Sequence, residues 1–441
     1  MIRRLILTGL ALWAVAAPAQ ELDIQRWQAA GGAEVLFVER PELPIADVRV
    51  VFDAGSARDG EHPGLARLVS NLLLEGSAEL SSGEIARRFE RYGARVSTDS
   101  GRDTANVSLR ALSGAERLDP VIEHLAGVLA EPAFPEDALS RVRQQMLLGL
   151  QQAESSPSSI AERAFERAIF GDHPYASPPD GTREAVSAIA REQVRDFHRR
   201  FYTAANATIA IVGDLDRAAA ERLADRLAGS LPAGEAAPAL PPVELPESAR
   251  TVRVPFDSGQ THVLMGHPSV RHGDEAYYPL YLANHVLGGG GLVSMLAERL
   301  REERGLSYSS GSALTVGQER GRFVMSTQVR NDALGEALEV MRGTLQELRD
   351  EGPDPERLEA SRRNITGSFP LQLDSNRDLL GYVASIGFHD LPEDYLRRFV
   401  ERIGSLEADT VRAALREHIH PDRMITVLVG PEDVIGVAAD E

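Results

Sequence analysis

One stretch of this chain occurs twice, and that repeat constrains the fold more than any other feature. Asn206–Asp214 reads NATIAIVGD, a run of residues typical of a buried strand that ends at a glycine. Arg423–Pro431 reads RMITVLVGP and repeats it, so that Gly430 follows Gly213 by 217 residues (430 − 213). A repeat of this length predicts two copies of one domain and not a solenoid of short units.

Two further pairs of positions have a similar spacing. Pro135 and Pro355, 220 residues apart (355 − 135), each open a predicted long helix, because proline is favoured in the first turn of a helix. Gly93 and Gly305 each end an arginine-rich helix that a strand follows, as expected of a glycine at the carboxyl end of a helix. This glycine pair is the weaker signal. Both pairs favour a duplication of the whole domain.

The domain boundaries follow from this repeat. We predict a signal peptide over 1–19, an N-terminal domain over 20–231, a linker over 232–250 and a C-terminal domain over 251–441. The linker is rich in proline and alanine, which predicts an extended, semi-stiff connection. Predicted strands and helices do not alternate strictly, which favours α+β over a doubly wound sheet. The predicted fold class is α+β, with two homologous α/β-roll domains.

The amino-terminal residues are typical of a secretory signal peptide. Arg3 and Arg4 precede a short apolar run, Leu5–Ala16, and Ala17–Ala19 has the small residues of a cleavage site. The apolar run is shorter than the ~20 residues that cross a bilayer. We therefore expect cleavage near Ala19 and a periplasmic mature protein, with a retained anchor as the alternative.

Acidic residues dominate the charge of the chain. The formal net charge is −19, and removal of Arg3 and Arg4 with the signal peptide makes it −21 (−19 − 2). A surface of this sign repels nucleic acids and anionic lipids, so we expect neither nucleic acid nor a membrane as a partner. The chain has no cysteine, which excludes thiolate zinc sites and disulfides.

A helical segment near residue 67 carries three polar positions on one face. Gly64–Ser77 reads GLARLVSNLLLEGS, in which Arg67, Ser70 and Asn71 have the i, i+3, i+4 spacing of a helix face. The segment resembles the zinc-binding helix of the pitrilysin/insulinase family of metallopeptidases, where these positions hold an inverted His-x-x-Glu-His. Arginine cannot bind zinc, because it stays protonated and has no lone pair to give. The resemblance therefore implies a peptidase fold without its metal site.

Active members of that family complete the zinc site with a carboxylate from a second helix. In the matching stretch, Met146–Gln152, Leu148 and Gly149 stand where the acids belong. The metal-site residues are thus missing together, and no set of three zinc ligands remains. The resemblance, which is closest to the bacterial relatives of the mitochondrial processing peptidase, implies that this chain binds no cofactor. Zinc is expected in a partner subunit.

The C-terminal half retains a second feature of the family, an Arg and a Tyr seven residues apart that reach the active site. Arg301 and Tyr308 have this spacing (308 − 301). Both side chains can donate hydrogen bonds to the negative charge that develops on the carbonyl oxygen during peptide hydrolysis. In the alternative interpretation, Arg301 belongs with Arg299 and Arg304 to an ion-paired, solvated helix face, and Tyr308 is an ordinary strand residue.

A run of four glycines, Gly288–Gly291, precedes the segment that contains Arg301. It lacks the Lys-Ser/Thr of a phosphate loop and does not match Gly-x-Gly-x-x-Gly. In the non-catalytic subunit of the mitochondrial enzyme a longer glycine-rich loop helps to handle substrate. The resemblance therefore makes Gly289, Gly290 and Gly291 candidate substrate-binding residues, with a helix entry or a hinge as the alternatives.

The histidines do not form a ligand set in the sequence. His262, His267 and His272 are five residues apart, which is neither helix nor strand spacing for ligands on one face. His285 stands alone, and a single histidine is more often a surface or hydrogen-bonded residue than a ligand. We therefore expect no metal site from these residues.

Together these features predict one half of a heterodimeric zinc metallopeptidase. The chain would be inactive alone and would pair with a related chain that carries His-x-x-Glu-His, contributing Arg301 and Tyr308 to peptide binding and oxyanion stabilisation. The substrate would be a peptide or unfolded segment, bound as an added strand on the partner. The alternative is a catalytically inert binding or structural subunit, as in the core subunits of the respiratory bc1 complex.

Overall fold

The N-terminal half of the protein, β1 to α8, surrounds a six-stranded sheet. The computed structural model describes residues 22–78 and 80–436, so the predicted signal peptide lies outside the described residues. The strands are β1 (Gln25–Gln28), β2 (Glu34–Glu39), β3 (Ile45–Phe52), β4 (Gly76–Ser77), β5 (Leu80–Ser81), β6 (Arg95–Ser100), β7 (Ala105–Leu112) and β8 (Ala207–Gly213). The helices are α1 (Leu65–Leu72), α2 (Ser82–Arg91), α3 (Ala115–Ala130), α4 (Glu136–Glu154), α5 (Pro157–Phe170), α6 (Arg183–Ala188), α7 (Arg191–Phe201) and α8 (Arg217–Ser230).

The C-terminal half, β9 to α16, surrounds a five-stranded sheet. Its strands are β9 (Arg250–Pro255), β10 (Gln260–Pro268), β11 (Ser307–Leu314), β12 (Arg322–Arg330) and β13 (Ile425–Gly430). Its helices are α9 (Tyr277–Asn284), α10 (Met295–Ala297), α11 (Leu334–Glu351), α12 (Pro355–Ser368), α13 (Asn376–Phe388), α14 (Tyr395–Ser405), α15 (Ala408–His418) and α16 (Glu432–Ile435). There are two π-helical turns: His285–Gly289 contains the first two glycines of the run, and Glu298–Glu302 follows α10 directly.

The two sheets share the order of five strands, and the first sheet has β1 as an additional edge strand. In the first sheet the order is β1-β2-β8-β3-β7-β6, with β2 parallel to β8 and the other neighbours antiparallel. In the second it is β9-β13-β10-β12-β11, with β9 parallel to β13. The repeated sequences end in β8 and β13, which occupy corresponding central positions. Mixed sheets with separate helices make an α+β protein, as the order of predicted elements indicated.

Each half lends one helix to the sheet of the other half. Helix α5 packs on β10, β13 and β9, and helix α13 packs on β8, β3 and β2. The residues of the first sheet that face α13, such as Leu36, Val51 and Ala210, are buried in one cluster with the C-terminal core. Since both faces of each sheet are covered, β8 and β13 are mostly apolar and are buried along their whole length.

Local signals explain where several helices begin and end. Helix α12 begins at Pro355, where Asp354 accepts hydrogen bonds from the next turn, and α4 begins directly after Pro135, so the two predicted helix starts are confirmed. Gly93 and Gly305 have left-handed backbones (φ 69° and 61°) before β6 and β11. Their positions before corresponding strands support the weaker of the predicted pairs.

The segment between the halves has no regular secondary structure from Pro232 to Ala249, where the sequence predicts a linker. It is nevertheless held against the protein. The Arg58 guanidinium donates to the carbonyl of Pro238 (2.7 Å), a His173 ring nitrogen lies 2.8 Å from the carbonyl of Pro241, and Val243 is buried. Over the part of the chain that the structure describes, no helix is long and apolar enough to cross a membrane.

Candidate functional site

A buried carboxylate holds the amino-terminal end of α1, the helix that resembles a zinc-binding helix. The Asp59 side chain accepts hydrogen bonds from the backbone N–H groups of Gly64 and Ala66, both at 2.7 Å. Burial raises the pKa of Asp59 to about 7, although these two hydrogen bonds lower it. Gly64 has φ 96°, a conformation that glycine adopts without strain. The local sequence thus still builds the scaffold of this helix.

None of the three motif positions on α1 presents a metal ligand. The Arg67 side chain forms an ion pair with Asp180 (3.4 Å). Ser70 is fully buried, and its hydroxyl has no hydrogen-bond partner among the described residues. Asn71 is exposed. A cation therefore occupies the first ligand position, which opposes the binding of a metal ion there.

The second zinc-site helix is also present without its acids. Helix α4 packs against α1, so the positions from both segments belong to one region of the N-terminal half. Leu148 is 60 % exposed and Gly149 is exposed, and neither can donate electrons to a metal. Within residues 22–78 and 80–436, no group of three His, Cys, Asp or Glu side chains is arranged to hold a metal ion. The residues present do not fit the family's zinc site.

Arg301 and Tyr308 are brought together in the C-terminal half. Arg301 lies in the π-helical turn Glu298–Glu302, the chain turns at Gly305, and Tyr308 lies on the edge strand β11. The guanidinium carbon of Arg301 is 4.8 Å from the centroid of the Tyr308 ring, a cation–π contact. The Tyr308 side chain is 81 % exposed, so both donor groups are accessible from outside.

The neighbouring arginines behave differently from Arg301. Arg299 donates to Glu347 on α11 (2.7 Å), and Arg304 donates to Glu303 (2.6 Å). Arg301 has no carboxylate within ion-pair distance among the residues that the structure describes. The interpretation as an ion-paired helix face therefore applies to Arg299 and Arg304, whereas Arg301 keeps its five donors available.

A β-bulge positions Tyr308 at the sheet edge. The pairing of β11 with β12 shifts register between Ser307 and Ser310. The Ser307 hydroxyl donates to the carbonyl of Ser309 (2.8 Å) and lies 2.8 Å from the Thr327 hydroxyl on β12. Bulges redirect side chains at sheet edges and are common next to functional sites. This hydroxyl network fixes the backbone from which Tyr308 projects.

The glycine run packs closely against its surroundings. A Cβ on Gly288 would lie 2.2 Å from the backbone nitrogen of Ser312 on β11, and one on Gly290 would lie 2.7 Å from the carbonyl oxygen of His285. Gly291 has φ 67°. Gly289 and Gly291 are exposed and Gly290 is partly exposed. The run therefore has a packing role at Gly288, while the predicted substrate-binding role of the other three stays a prediction.

A cleft of about 680 Å³ lies between the two halves. Its N-terminal wall includes Asp180, the ion-pair partner of Arg67, and its C-terminal wall includes Ser309, the residue after Tyr308. Glu162 and Arg163 of α5 also line it. Asp180, the ion-pair partner of Arg67, and Ser309 of the strand that carries Tyr308 therefore line the same cleft, although no residue of α1 itself lines it. Because the wall residues come from distant parts of the chain, sequence spacing alone did not predict it.

Family models match both halves of the chain. Residues 34–183 match the insulinase family, peptidase family M16, and residues 188–365 match the peptidase M16 inactive domain. The crystal structure of a peptidase M16 inactive domain from Pseudomonas fluorescens is 35 % identical, with a TM-score of 0.90, over 93 % of this chain and 98 % of that one. The chain belongs to the insulinase (M16) peptidase family, and the predicted resemblance is confirmed.

Curated relatives of this chain have names of two kinds. An uncharacterized zinc protease of Bacillus subtilis is 24 % identical over 353 residues, which cover 80 % of this chain and 85 % of the relative. A non-peptidase homolog of Helicobacter pylori is 24 % identical over 392 residues, which cover 87 % of this chain and 88 % of the relative. With its zinc-site positions altered, this chain is an inactive M16-like protein.

Proposed function

We propose that this chain is the metal-free subunit of a heterodimeric zinc metallopeptidase. The partner, a related chain with His-x-x-Glu-His, would hold the zinc and supply the general base. This chain would present Arg301 and Tyr308 to a peptide bound in the partner's active site. The observation that carries the proposal is the Arg301–Tyr308 pair, stacked at 4.8 Å and accessible, beside arginines that are ion-paired.

The chemistry of the pair fits this role. In peptide hydrolysis negative charge develops on the carbonyl oxygen, and preorganised donors aimed at that oxygen lower the barrier. The cation–π contact and the bulge at Ser307 hold both donors before substrate arrives, so less conformational entropy is lost on binding. Arg301 would hold the substrate or its oxyanion through forked N–H groups, and Tyr308 would donate its phenolic proton.

Several other predicted features belong to this proposal. We infer that the two halves arose by duplication, which their equal strand order supports. The domains over 20–231 and 251–441, joined by the 232–250 linker, would form one wall of the chamber that closes over substrate. The signal sequence over 1–19 supports export to the periplasm, where the partner and peptide substrates would be met.

Reconstitution with the partner tests the catalytic role. The complex is first isolated from the native periplasm, and its peptidase activity is then measured with wild-type chain and with Arg301→Ala. Removal of one oxyanion donor typically costs about 10²-fold in kcat, so we expect a loss of that order with assembly unchanged. Arg304→Ala is the matched control, because Arg304 lies three residues away and is ion-paired to Glu303.

Tyr308→Phe separates the hydroxyl from the ring. It keeps the stacking surface for Arg301 and removes only the phenolic donor, so a fall in kcat without a change in complex stability identifies hydrogen bonding by Tyr308. Equal rates for wild type, Arg301→Ala and Tyr308→Phe in an assembled complex would rule out the proposed contribution of this chain to catalysis.

A second candidate is an inert binding or structural subunit. The relative of Helicobacter pylori named as a non-peptidase homolog favours it. In that case native purification should recover this chain alone or with a protein that does not bind zinc. Arg301→Ala should then have no effect on any activity of the recovered material.

A further inference from the structure

A second cleft, of about 450 Å³, lies inside the C-terminal half, away from Arg301 and Tyr308. Helices α9, α12 and α13 and the start of α14 bound it. Six aromatic side chains line it: Tyr277, Tyr281, Phe369, Tyr382, Tyr395 and Phe399. A concave space that combines aromatic rings with polar groups is a usual form of a small-ligand or side-chain binding site.

This cleft corresponds in position to the zinc-site region of the N-terminal half. Helix α9 follows β10 as α1 follows β3, and α12 is the second helix after β12 as α4 is the second after β7. The pairs α1–α4 and α9–α12 each pack together. The same helix pair that would carry zinc ligands in one half therefore lines an aromatic cleft in the other.

The rings in this cleft meet at several angles. Phe369 and Phe399 are stacked, inclined by 29° with centroids 5.0 Å apart, whereas other pairs are steeply inclined. The Tyr281 and Phe399 rings are inclined by 75°, and their centroids are 5.5 Å apart. Phe369 and Tyr382 are inclined by 64° at 5.8 Å. Rings at such angles present faces and edges from several directions. The face of an aromatic ring is the negative part of its quadrupole and attracts cations.

The histidine of the cleft offers no free acceptor to a ligand. The Nε2 atom of His285 lies 3.2 Å from the amide oxygen of Asn364, which can only accept, so Nε2 carries the proton and donates. The other ring nitrogen, Nδ1, is buried beside the glycine run, since a Cβ on Gly290 would lie 3.1 Å from it. The carboxylate of Asp378 is therefore the charged acceptor that the cleft offers.

The charges around the cleft favour a positive ligand. No lysine or arginine is among the described residues that line it, and Asp378 provides a carboxylate at its rim. The lining histidines add no positive charge at neutral pH, since burial lowers the pKa of His272 to about 4 and also lowers that of His285. The net charge of −19 for the whole chain acts in the same direction.

We propose that this cleft binds an organic cation with N–H donors, the guanidinium or alkylammonium group of a basic peptide side chain. The tyrosine faces would surround the cationic head, and its N–H groups would donate to Asp378, which would balance the charge. A guanidinium group suits the site because it is planar, stacks on aromatic rings and carries several donors. The proposal concerns this chain alone and does not depend on a peptidase partner.

Titration calorimetry of the purified chain with three blocked amino acids tests the ligand class. The probes are N-acetyl-arginine amide, N-acetyl-lysine amide and N-acetyl-norleucine amide, of which the last has the lysine stem without its charge. We expect the two cationic probes to bind about 10-fold more tightly than the norleucine probe. Equal affinities, tighter binding of norleucine, or no binding of any probe would overturn the proposal.

Two variants locate the site. Asp378→Asn removes the rim charge, keeps an acceptor for the Ser375 hydroxyl, and should weaken arginine-amide binding about threefold. Asp374→Asn, an exposed acid on the same segment that does not line the cleft, is the control and should have no effect. Tyr382→Leu should weaken binding about fivefold at unchanged fold, checked by circular dichroism. Unchanged affinity in both Asp378→Asn and Tyr382→Leu would place the binding elsewhere.

Discussion

The two halves of this protein share a strand order, yet the equivalent helix pairs carry opposite surfaces. Between α1 and α4 stand an ion-paired Arg67, a buried Ser70 and an exposed Leu148. Between α9 and α12 stand aromatic rings, among them Tyr281 and Phe369. The first region has lost the ligands of its family, whereas the second forms an aromatic cleft.

This difference shows that the helices of this fold can be kept while the side chains of the site change. The capping carboxylate of Asp59 and the glycine at 64 still build α1, although the metal ligands are gone. Backbone hydrogen bonds and buried apolar contacts hold the helices in place, so side chains that face the cleft can change without loss of the fold. Function in such a chain must be sought site by site.

Acidification should weaken the C-terminal half strongly. Burial lowers the pKa of His267 and His272 to about 4 and that of His389 to about 3. These groups are neutral in the folded state and protonate when unfolded, so stability is lost as the pH falls from about 6.5 to 4, by at most about 3 kcal/mol for each histidine.

Urea unfolding between pH 7 and 4 measures this loss, and hydrogen exchange of α9 and α13 locates it. His389→Phe should reduce the pH dependence by about one proton. If the stability of His389→Phe depends on pH as strongly as that of wild type, His389 does not cause the loss. His198→Phe removes a buried histidine of the N-terminal half, and its pH dependence shows how much that half contributes.

Asp59 should give the N-terminal half a pH dependence of opposite sign. Its pKa is raised to about 7 by burial, so its contribution is fully present below about pH 4 and is lost as the pH rises to 7. At most about 4 kcal/mol is involved. Asp59→Asn should therefore gain stability relative to wild type as the pH rises from 4 to 7. Parallel stability curves for the two proteins would show that Asp59 is ionised with an ordinary pKa.

Gly288→Ala should destabilise the protein because the added Cβ would meet the backbone of Ser312 at 2.2 Å. The glycine run and β11 would have to separate, at a cost of about 3 kcal/mol. Thermal unfolding checks this value, with Gly259→Ala as the control, since a Cβ on Gly259 has no neighbour within 4 Å. Equal melting temperatures for the two variants would mean that the glycine run is loosely packed.

Arg67→Ala should have the smallest effect. The ion pair with Asp180 is partly exposed, and pairs of this kind contribute less than about 1 kcal/mol. We expect unchanged folding and a melting temperature within a few degrees of wild type by calorimetry. A large loss of stability would instead show that Arg67 was selected to hold the former zinc-site region together.

Part of this structure could be predicted from particular residues. The prolines at 135 and 355 marked two helix starts, and the NATIAIVGD and RMITVLVGP segments marked β8 and β13, because local propensity and burial act over a few residues. Spacing could not separate Arg301 from Arg299 and Arg304. Their different surroundings depend on how α11, more than 30 residues further along the chain, and the bulged start of β11 pack around the turn that carries them.

The sequence by itself determined what this protein lacks and how it is organised. Side-chain chemistry alone excludes zinc binding at Arg67, and the repeat alone indicates two similar halves. Only the tertiary structure decided that α5 and α13 exchange sheets, that Arg301 stacks on Tyr308, and that aromatic residues between 277 and 399 close around one cleft. The helix exchange and the cleft join residues far apart in sequence, and the Arg301–Tyr308 contact depends on the local turn and bulge, so packing of the whole core determines which side chains meet.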